Sequence, residues 1–243
     1  MLLKDRARRS AHVGVFSEAR MADVIFHSIP ESSYLWTAMH VADEKGVSYE
    51  LHSFEAGSPE HLKLHPFGKM PVLQHGDVVL YESLAIAHYL DRAFAGPPLQ
   101  PDDALGQANV LRWISIVNSY VFPVMNRFMK ERIVRPAWGV EPDEAFIQGA
   151  RAPLTLQVRL IAEAVSKGGF LAADRVTLAD SFLLPNLLFF ALTPEGRWLL
   201  DRAPAARGWL ERMLARPSYA SSPMGKSAVH QLPPSTRMTW PVT

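Results

Sequence analysis

Residues 65–72 read His65-Pro66-Phe67-Gly68-Lys69-Met70-Pro71-Val72. Pro71 opens an apolar run. Proline cannot donate to a sheet ladder, so it belongs at the start or edge of a strand. A cis Met70–Pro71 bond would leave the Met70 N–H and C=O without sheet partners, free to pair with an extended peptide. Pro71-Val72-Leu73-Gln74, the turn His75-Gly76-Asp77 and Val78-Val79-Leu80 predict a β-hairpin.

Upstream, Val24-Ile25-Phe26 reads as a buried strand and Pro30 to Ser33 as a turn with capping residues. Tyr34 to Lys45 has Leu35, Met39 and Ala42 at helical spacing, and Gly46 supplies a stop. Val47 to Leu51 alternates as a strand, completing a β-α-β unit whose crossover is expected to be right-handed. Ser58-Pro59-Glu60 starts a short helix running to about His65. Downstream, Glu82 to Phe94 carries Leu84, Ala87, Leu90 and Phe94 on one stripe. Residues 21–96 thus form an α+β module in the order βαβαββα.

Gly96-Pro97-Pro98 and Pro101 mark residues 97–106 as a stiff linker. Beyond it Gln107–Lys130, Pro142–Ser166, Leu178–Leu192 and Pro204–Ala215 read as helices, with no strand run. Residues 107–221 are expected to be an all-α domain. The Ser-, Pro- and Thr-rich remainder, from about Pro217 and chiefly 222–243, reads as an extended tail that Trp240 could pin. Residues 1–20 carry a local net charge of +3 without a long apolar segment, and read as an N-terminal extension ahead of Met21.

The 243 residues, 48% hydrophobic and 20% charged, suffice for two ordinary domains. A net charge of +1 gives no case for nucleic acid or an anionic membrane as partner. The most apolar stretch, Phe182 to Leu192, is too short to span a bilayer. Cysteine is absent, which excludes disulfides, thiolate metal sites and a cysteine nucleophile, and fits a cytoplasmic address. Neither nucleotide-binding glycine motif nor a nucleophile elbow is present. His61 and His65 lack the intervening glutamate of a zinc hydrolase, so a surface or cleft-edge role is expected and no metal site.

Four features could carry chemistry. Ser32 and Ser33 stand at a helix start, where a hydroxyl either caps backbone N–H groups or helps them stabilise an anion such as a thiolate. Met70-Pro71 offers backbone to a peptide. Glu82-Ser83 opens the next helix and could hold a carboxylate and an ammonium, with capping by Ser83 as the alternative. Thr177-x-x-Asp180 reads as a structural capping box. Trp113, Tyr120 and Phe128 are core positions by their spacing, with an apolar pocket facing the first module as the other use.

In this order the motifs resemble the soluble glutathione transferases over residues 22–221. The resemblance rests on Pro30-x-Ser32, Asp43-Glu44-Lys45-Gly46, Pro66 to Pro71, Glu82-Ser83-x-Ala85-Ile86 and Tyr89-Leu90. Gly169-Phe170-Leu171-x-x-Asp174-x-x-Thr177-x-Ala179-Asp180, Trp209-Leu210 and Arg216-Pro217 complete it. It implies a thioredoxin-like N-terminal domain, a helical C-terminal domain and usually a homodimer. By position it implies that Pro71 is the cis-proline and that the Met70 backbone holds the cysteinyl part of glutathione. Lys69 would reach the peptide, and Glu82 and Ser83 would form the γ-glutamyl site. Asp180 would serve folding. Ser32 matches the activating serine, with Ser33 as the alternative one position on; Tyr34 falls inside the helix. The type implied is bacterial and serine-based, because the cysteine-based classes have no cysteine to use here. The expected reaction conjugates glutathione, as co-substrate, to a small hydrophobic electrophile. Glutathione-dependent peroxidase, dehalogenase or isomerase chemistry, and low-turnover ligand binding, are the alternatives on the same fold. One departure is local: the family's usual Asn before Pro-x-Gly is His65 in this chain.

Overall fold

The computed structural model describes residues 23–220. The first module contains β1 (Val24–His27), α1 (Ser33–Lys45), β2 (Tyr49–His52), α2 (Pro59–Leu64), β3 (Val72–His75), β4 (Val78–Tyr81) and α3 (Ser83–Ala93). This is the expected βαβαββα order. The sheet runs β2-β1-β3-β4, with β1 parallel to β2 and β3 antiparallel to both its neighbours. Val24 and Phe26 point into the core, as do Leu35, Met39 and Ala42 of α1 and Ile86 and Leu90 of α3. Gly46 ends α1 in the left-handed region (φ 67°), donating to the carbonyls of Ala42 and Asp43.

The segment between α3 and the next helix, which begins at Ala104 inside the expected linker 97–106, is tied to the first module. Asp91, buried on α3, accepts from the Leu99 amide at 2.9 Å and from the Gln100 side chain at 3.1 Å. Lys45 Nζ lies 3.3 Å from Asp91 and also donates to the carbonyls of Gly96 and Pro97.

The second module is helical throughout among the described residues: α4 (Ala104–Ile116), α5 (Phe122–Met129), α6 (Arg135–Ala137), α7 (Glu144–Gly168), α8 (Leu178–Ala191), α9 (Pro194–Asp201), α10 (Pro204–Leu214) and α11 (Pro217–Ala220). The single helix expected over 107–130 is longer and is interrupted by π turns at Val117–Val121 and Lys130–Val134. The cause lies two residues past each turn, at Pro123 and Pro136. A helical proline gives no hydrogen bond and presses on the carbonyl four residues back. The backbone widens instead, so that Phe122 N–H reaches Val117 O and Arg135 N–H reaches Lys130 O.

Other boundaries follow their caps. Asp143 accepts from the Phe146 amide at 3.0 Å, so α7 begins after Pro142, not at it. The α9 helix, not anticipated from the sequence, is capped by Thr193 and opened by Pro194. A Cβ at Gly196 would lie 1.9 Å from the Phe190 carbonyl oxygen, so only glycine fits there. Nearly every residue of α8 is buried, which marks it as the central helix. Its start is the expected capping box. Asp180 accepts from the Thr177 amide and hydroxyl, and also from the Leu171 amide and the Trp209 indole at 2.9 Å. Burial raises the Asp180 carboxyl, and those donors oppose the shift. Trp113 and Phe128 are core residues as expected, whereas Tyr120 is exposed.

The extended tail expected after Pro217 begins instead as the short α11, where Tyr219 is buried. The extension 1–20 and the tail 222–243 with Trp240 lie outside the described residues. Among the described residues no helix is long and apolar enough to cross a membrane.

The modules meet through α1 and α8. His40 Nδ1 lies 3.0 Å from Ser181 Oγ, and the Trp36 ring lies 4.7 Å from Phe189.

Candidate active site

Three chain segments converge because of strand register. His27, the last residue of β1, pairs with Val72, the first of β3, and Val72 pairs with Tyr81, the last of β4. One end of the sheet therefore carries the β1–α1 turn with Ser32, the segment entering β3 with Lys69, Met70 and Pro71, and the start of α3 with Glu82 and Ser83.

Ser32 is the N-cap of α1, and its Oγ accepts from the Leu35 amide at 3.3 Å. A hydroxyl held as acceptor in this way still has its hydrogen to give. The turn before it is fixed by the Trp36 indole, which donates to the Pro30 carbonyl at 2.7 Å. Ser33, the first residue of α1, is buried. The two serines thus separate into a half-buried cap and a core position.

Met70 precedes β3, outside both ladders, and the Met70–Pro71 peptide is cis, as the resemblance implied. The Lys69 carbonyl accepts from His61 Nε2 at 2.9 Å, while His61 Nδ1 accepts from the Gly57 amide at 3.0 Å. His61 and His65 are buried rather than at a surface or cleft edge, because both rings brace backbone. Among the described residues no group of side chains is arranged to hold a metal.

Glu82, not Ser83, is the N-cap of α3. It makes no side-chain cap and has φ 71°, the one positive φ outside glycine among the described residues. Such backbone is costly for a residue with a Cβ, and strained positions of this kind cluster at binding and catalytic sites. Ser83 is the first helical residue, so the capping alternative for it does not hold. The first amides of α3 have no side-chain acceptor and face the same end of the sheet as Met70.

Tyr34, expected inside the helix, faces the second module. It lies in the first turn of α1, its ring 4.6 Å from Phe122 and its hydroxyl 3.4 Å from Asn118 Oδ1 in the first π turn. Burial, and then the nearby Glu82 charge, push the Tyr34 phenol up to about 12. The signal that could have found it is its spacing: two residues after Ser32, one side of the first turn faces the other domain.

A thioredoxin-like sheet module followed by a helical bundle, the two meeting at the first turn of α1 through Tyr34, Asn118 and Phe122, defines a class of two-domain transferases. Matches to known proteins make it specific. Residues 22–92 match the glutathione S-transferase N-terminal domain and residues 144–212 the glutathione S-transferase C-terminal domain. A probable glutathione S-transferase of Oryza sativa subsp. japonica is 30% identical over 184 residues, covering 73% of this chain and 85% of the relative. Glutathione S-transferase 1 of Triticum aestivum is 31% identical over 192 residues, covering 72% and 82%. Among solved structures, glutathione S-transferase I bound with lactoylglutathione superposes with a TM-score of 0.77 at 26% identity, covering 84% of this chain and 99% of that one. The maize glutathione S-transferase I in complex with an atrazine glutathione conjugate gives 0.75 at 25% identity, covering 88% and 100%. The chain belongs to the glutathione S-transferase family.

Proposed function

We propose that this enzyme conjugates the thiolate of glutathione to small hydrophobic electrophiles, with the Ser32 hydroxyl stabilising the thiolate. The observation that carries the reading is the state of Ser32. Its oxygen is occupied by the Leu35 amide at the positive end of α1, and its hydrogen can be directed outward. A free thiol titrates near pH ~8.5, and a donated hydrogen bond together with the helix end favours the charged form. Ser33 is the weaker candidate because it is buried in the helix.

The peptide part of glutathione would lie along the entry to β3. The Met70 backbone would pair with its cysteinyl unit ahead of Pro71, and Lys69 would reach its carboxyl end. Ser83 and the first amides of α3 would take the γ-glutamyl carboxylate, and Glu82 its ammonium. The electrophile would sit where the modules meet, beside Tyr34 and Phe122. The two glutathione ligands named for the relatives above are consistent with such a division into a peptide site and a second site. A homodimer is part of the same reading, supported by exposed Phe67, Val79, Leu84 and Leu111; light scattering tests it.

The reaction is tested with a nitro-activated aryl chloride and glutathione, comparing wild type with Ser32→Ala. Conjugation that falls sharply in the variant supports the reading. Equal rates reject Ser32 as activator. Absence of conjugation in the wild type across a panel of electrophiles, with glutathione still bound, rejects the transferase reaction in favour of ligand binding.

A further inference from the structure

His65 stands where the family's usual residue is asparagine, and the structure gives it a specific geometry. The ring is almost wholly buried, at 2% exposure. It packs on Tyr81 at 4.6 Å and edge-on to Phe67 at 6.2 Å. Its Nδ1 accepts from the Phe67 amide at 3.3 Å. That bond fixes the tautomer: the ring hydrogen of the neutral imidazole is on Nε2. Nε2 lies 4.0 Å from Oε1 of Glu82, a carboxylate whose side chain is 68% exposed on backbone at φ 71°. A buried ring N–H therefore stands behind an exposed carboxylate on backbone of unfavourable conformation.

We infer that His65 is a positioning residue that, while neutral, leaves the Glu82 carboxylate available to the ammonium group of a γ-glutamyl ligand. The inference rests on the assignment of Glu82 to that ammonium and adds a residue and a condition to it. The titratable and charged groups around His65 are Glu82 at the start of α3, His61 in α2, Lys69 in the following segment and the Tyr81 phenol of β4. Burial pushes the imidazole below its ordinary value, and Glu82 pulls it partly back. Protonation bears directly on the ammonium site: a cation 4.0 Å from Glu82 competes with the ligand's ammonium for that carboxylate. Ligand affinity should fall as the pH falls through the titration of His65.

The test uses S-methylglutathione, whose sulfur does not titrate, and calorimetric dissociation constants between pH 5.0 and 7.5. For the wild type the expected loss at the acid end is about threefold or more, the scale of one unit charge at this separation in water. An analogue lacking the amino group should show no such loss. His65→Gln carries no titratable ring, and should bind within about twofold of wild type at pH 7.5 with a flat profile. A flat wild-type profile, or an acid loss that persists in His65→Gln or with the amino-free analogue, overturns the inference. If the variant does not fold, the wild-type comparison of the two ligands decides alone. Failure of S-methylglutathione to bind the wild type at pH 7.5 would instead count against the glutathione site itself.

Discussion

Arg216 grips both carboxylate oxygens of Glu44, with Nε 2.5 Å from Oε1 and Nη2 2.7 Å from Oε2. The Ser218 hydroxyl donates to Oε1 as well, and His40 Nε2 stands 3.5 Å away. This pair joins the chain after α10 to the last turn of α1, the helix whose first turn carries Ser32. The end of the helical module thereby steadies the element on which the proposed thiolate site is built.

Burial alone would raise the Glu44 carboxyl, but Arg216, Ser218 and His40 together hold it below the usual glutamate value of 4.5. A depressed native value stabilises the fold at pH above the ordinary glutamate range, and that stability is lost as the pH falls through the native titration. Glu44→Gln should therefore cost about 2 kcal/mol at pH 7, less than a fully buried pair because Arg216 is partly exposed. The difference in melting temperature between the proteins should shrink as the pH drops below the usual glutamate range. A difference that stays constant down to pH 3 would contradict the assignment.

The neighbouring Asp43 has the opposite sign. Burial pushes its carboxyl up to about 7; the Tyr49 hydroxyl, 3.3 Å away, draws it down, and the Glu44 charge raises it further. Between the ordinary value of 3.8 and about 7 the native state holds a proton that the unfolded chain has released. Stability from this site is therefore lost as the pH rises across that window. Asp43→Asn, which cannot ionise, should be more stable than wild type at pH 8 by about 1–2 kcal/mol. Chemical denaturation at pH 4 should find no such gain.

Ser32→Ala removes a cap and a donor together. Loss of the bond to the Leu35 amide should lower stability by about 1 kcal/mol. Conjugation should fall by about a hundredfold, the order seen when one donor to a developing anion is lost. Ser33→Ala should fall by much less. The pH at which half the bound glutathione absorbs as thiolate should rise in Ser32→Ala and stay unchanged in Ser33→Ala.

Tyr34→Phe deletes one hydroxyl opposite Asn118 while leaving the ring on Phe122. If the electrophile sits beside Tyr34, its KM should change, by about threefold to tenfold, with the glutathione dissociation constant unaltered. Because the phenol titrates near 12, the wild type should show no alkaline change in electrophile KM below pH 10. Steady-state kinetics with each substrate varied in turn checks both points.

Much of the architecture can be read from the residues because local signals agree with the final packing. Leu35, Met39 and Ala42 repeat at helical spacing, and Gly76-Asp77 makes the hairpin turn. Thr177 and Asp180 form the box their spacing implies. Where reading fails, the deciding contact is distant in sequence or depends on backbone. The cap of α3 is Glu82 instead of Ser83, a matter of φ that no side-chain pattern reveals. Tyr34 gains its meaning from Asn118, 84 residues away. His65 shows its partners only once the end of β4 has been brought beside it.

The two prolines that widen the long helix also set which neighbours it can touch. Each π turn spends one residue beyond the regular count, rotating everything after it by about 100° around the axis. A stripe of side chains that begins on one side of α4 therefore continues on another side of α5. Phe128, past the first turn, meets Phe190 of α8 with ring centroids 5.8 Å apart, while Arg127 beside it covers the Phe146 ring of α7. The rod of backbone nonetheless keeps α8 as its companion from α4 through the first π turn to α5, and α5 gains α7 as a second one beside it.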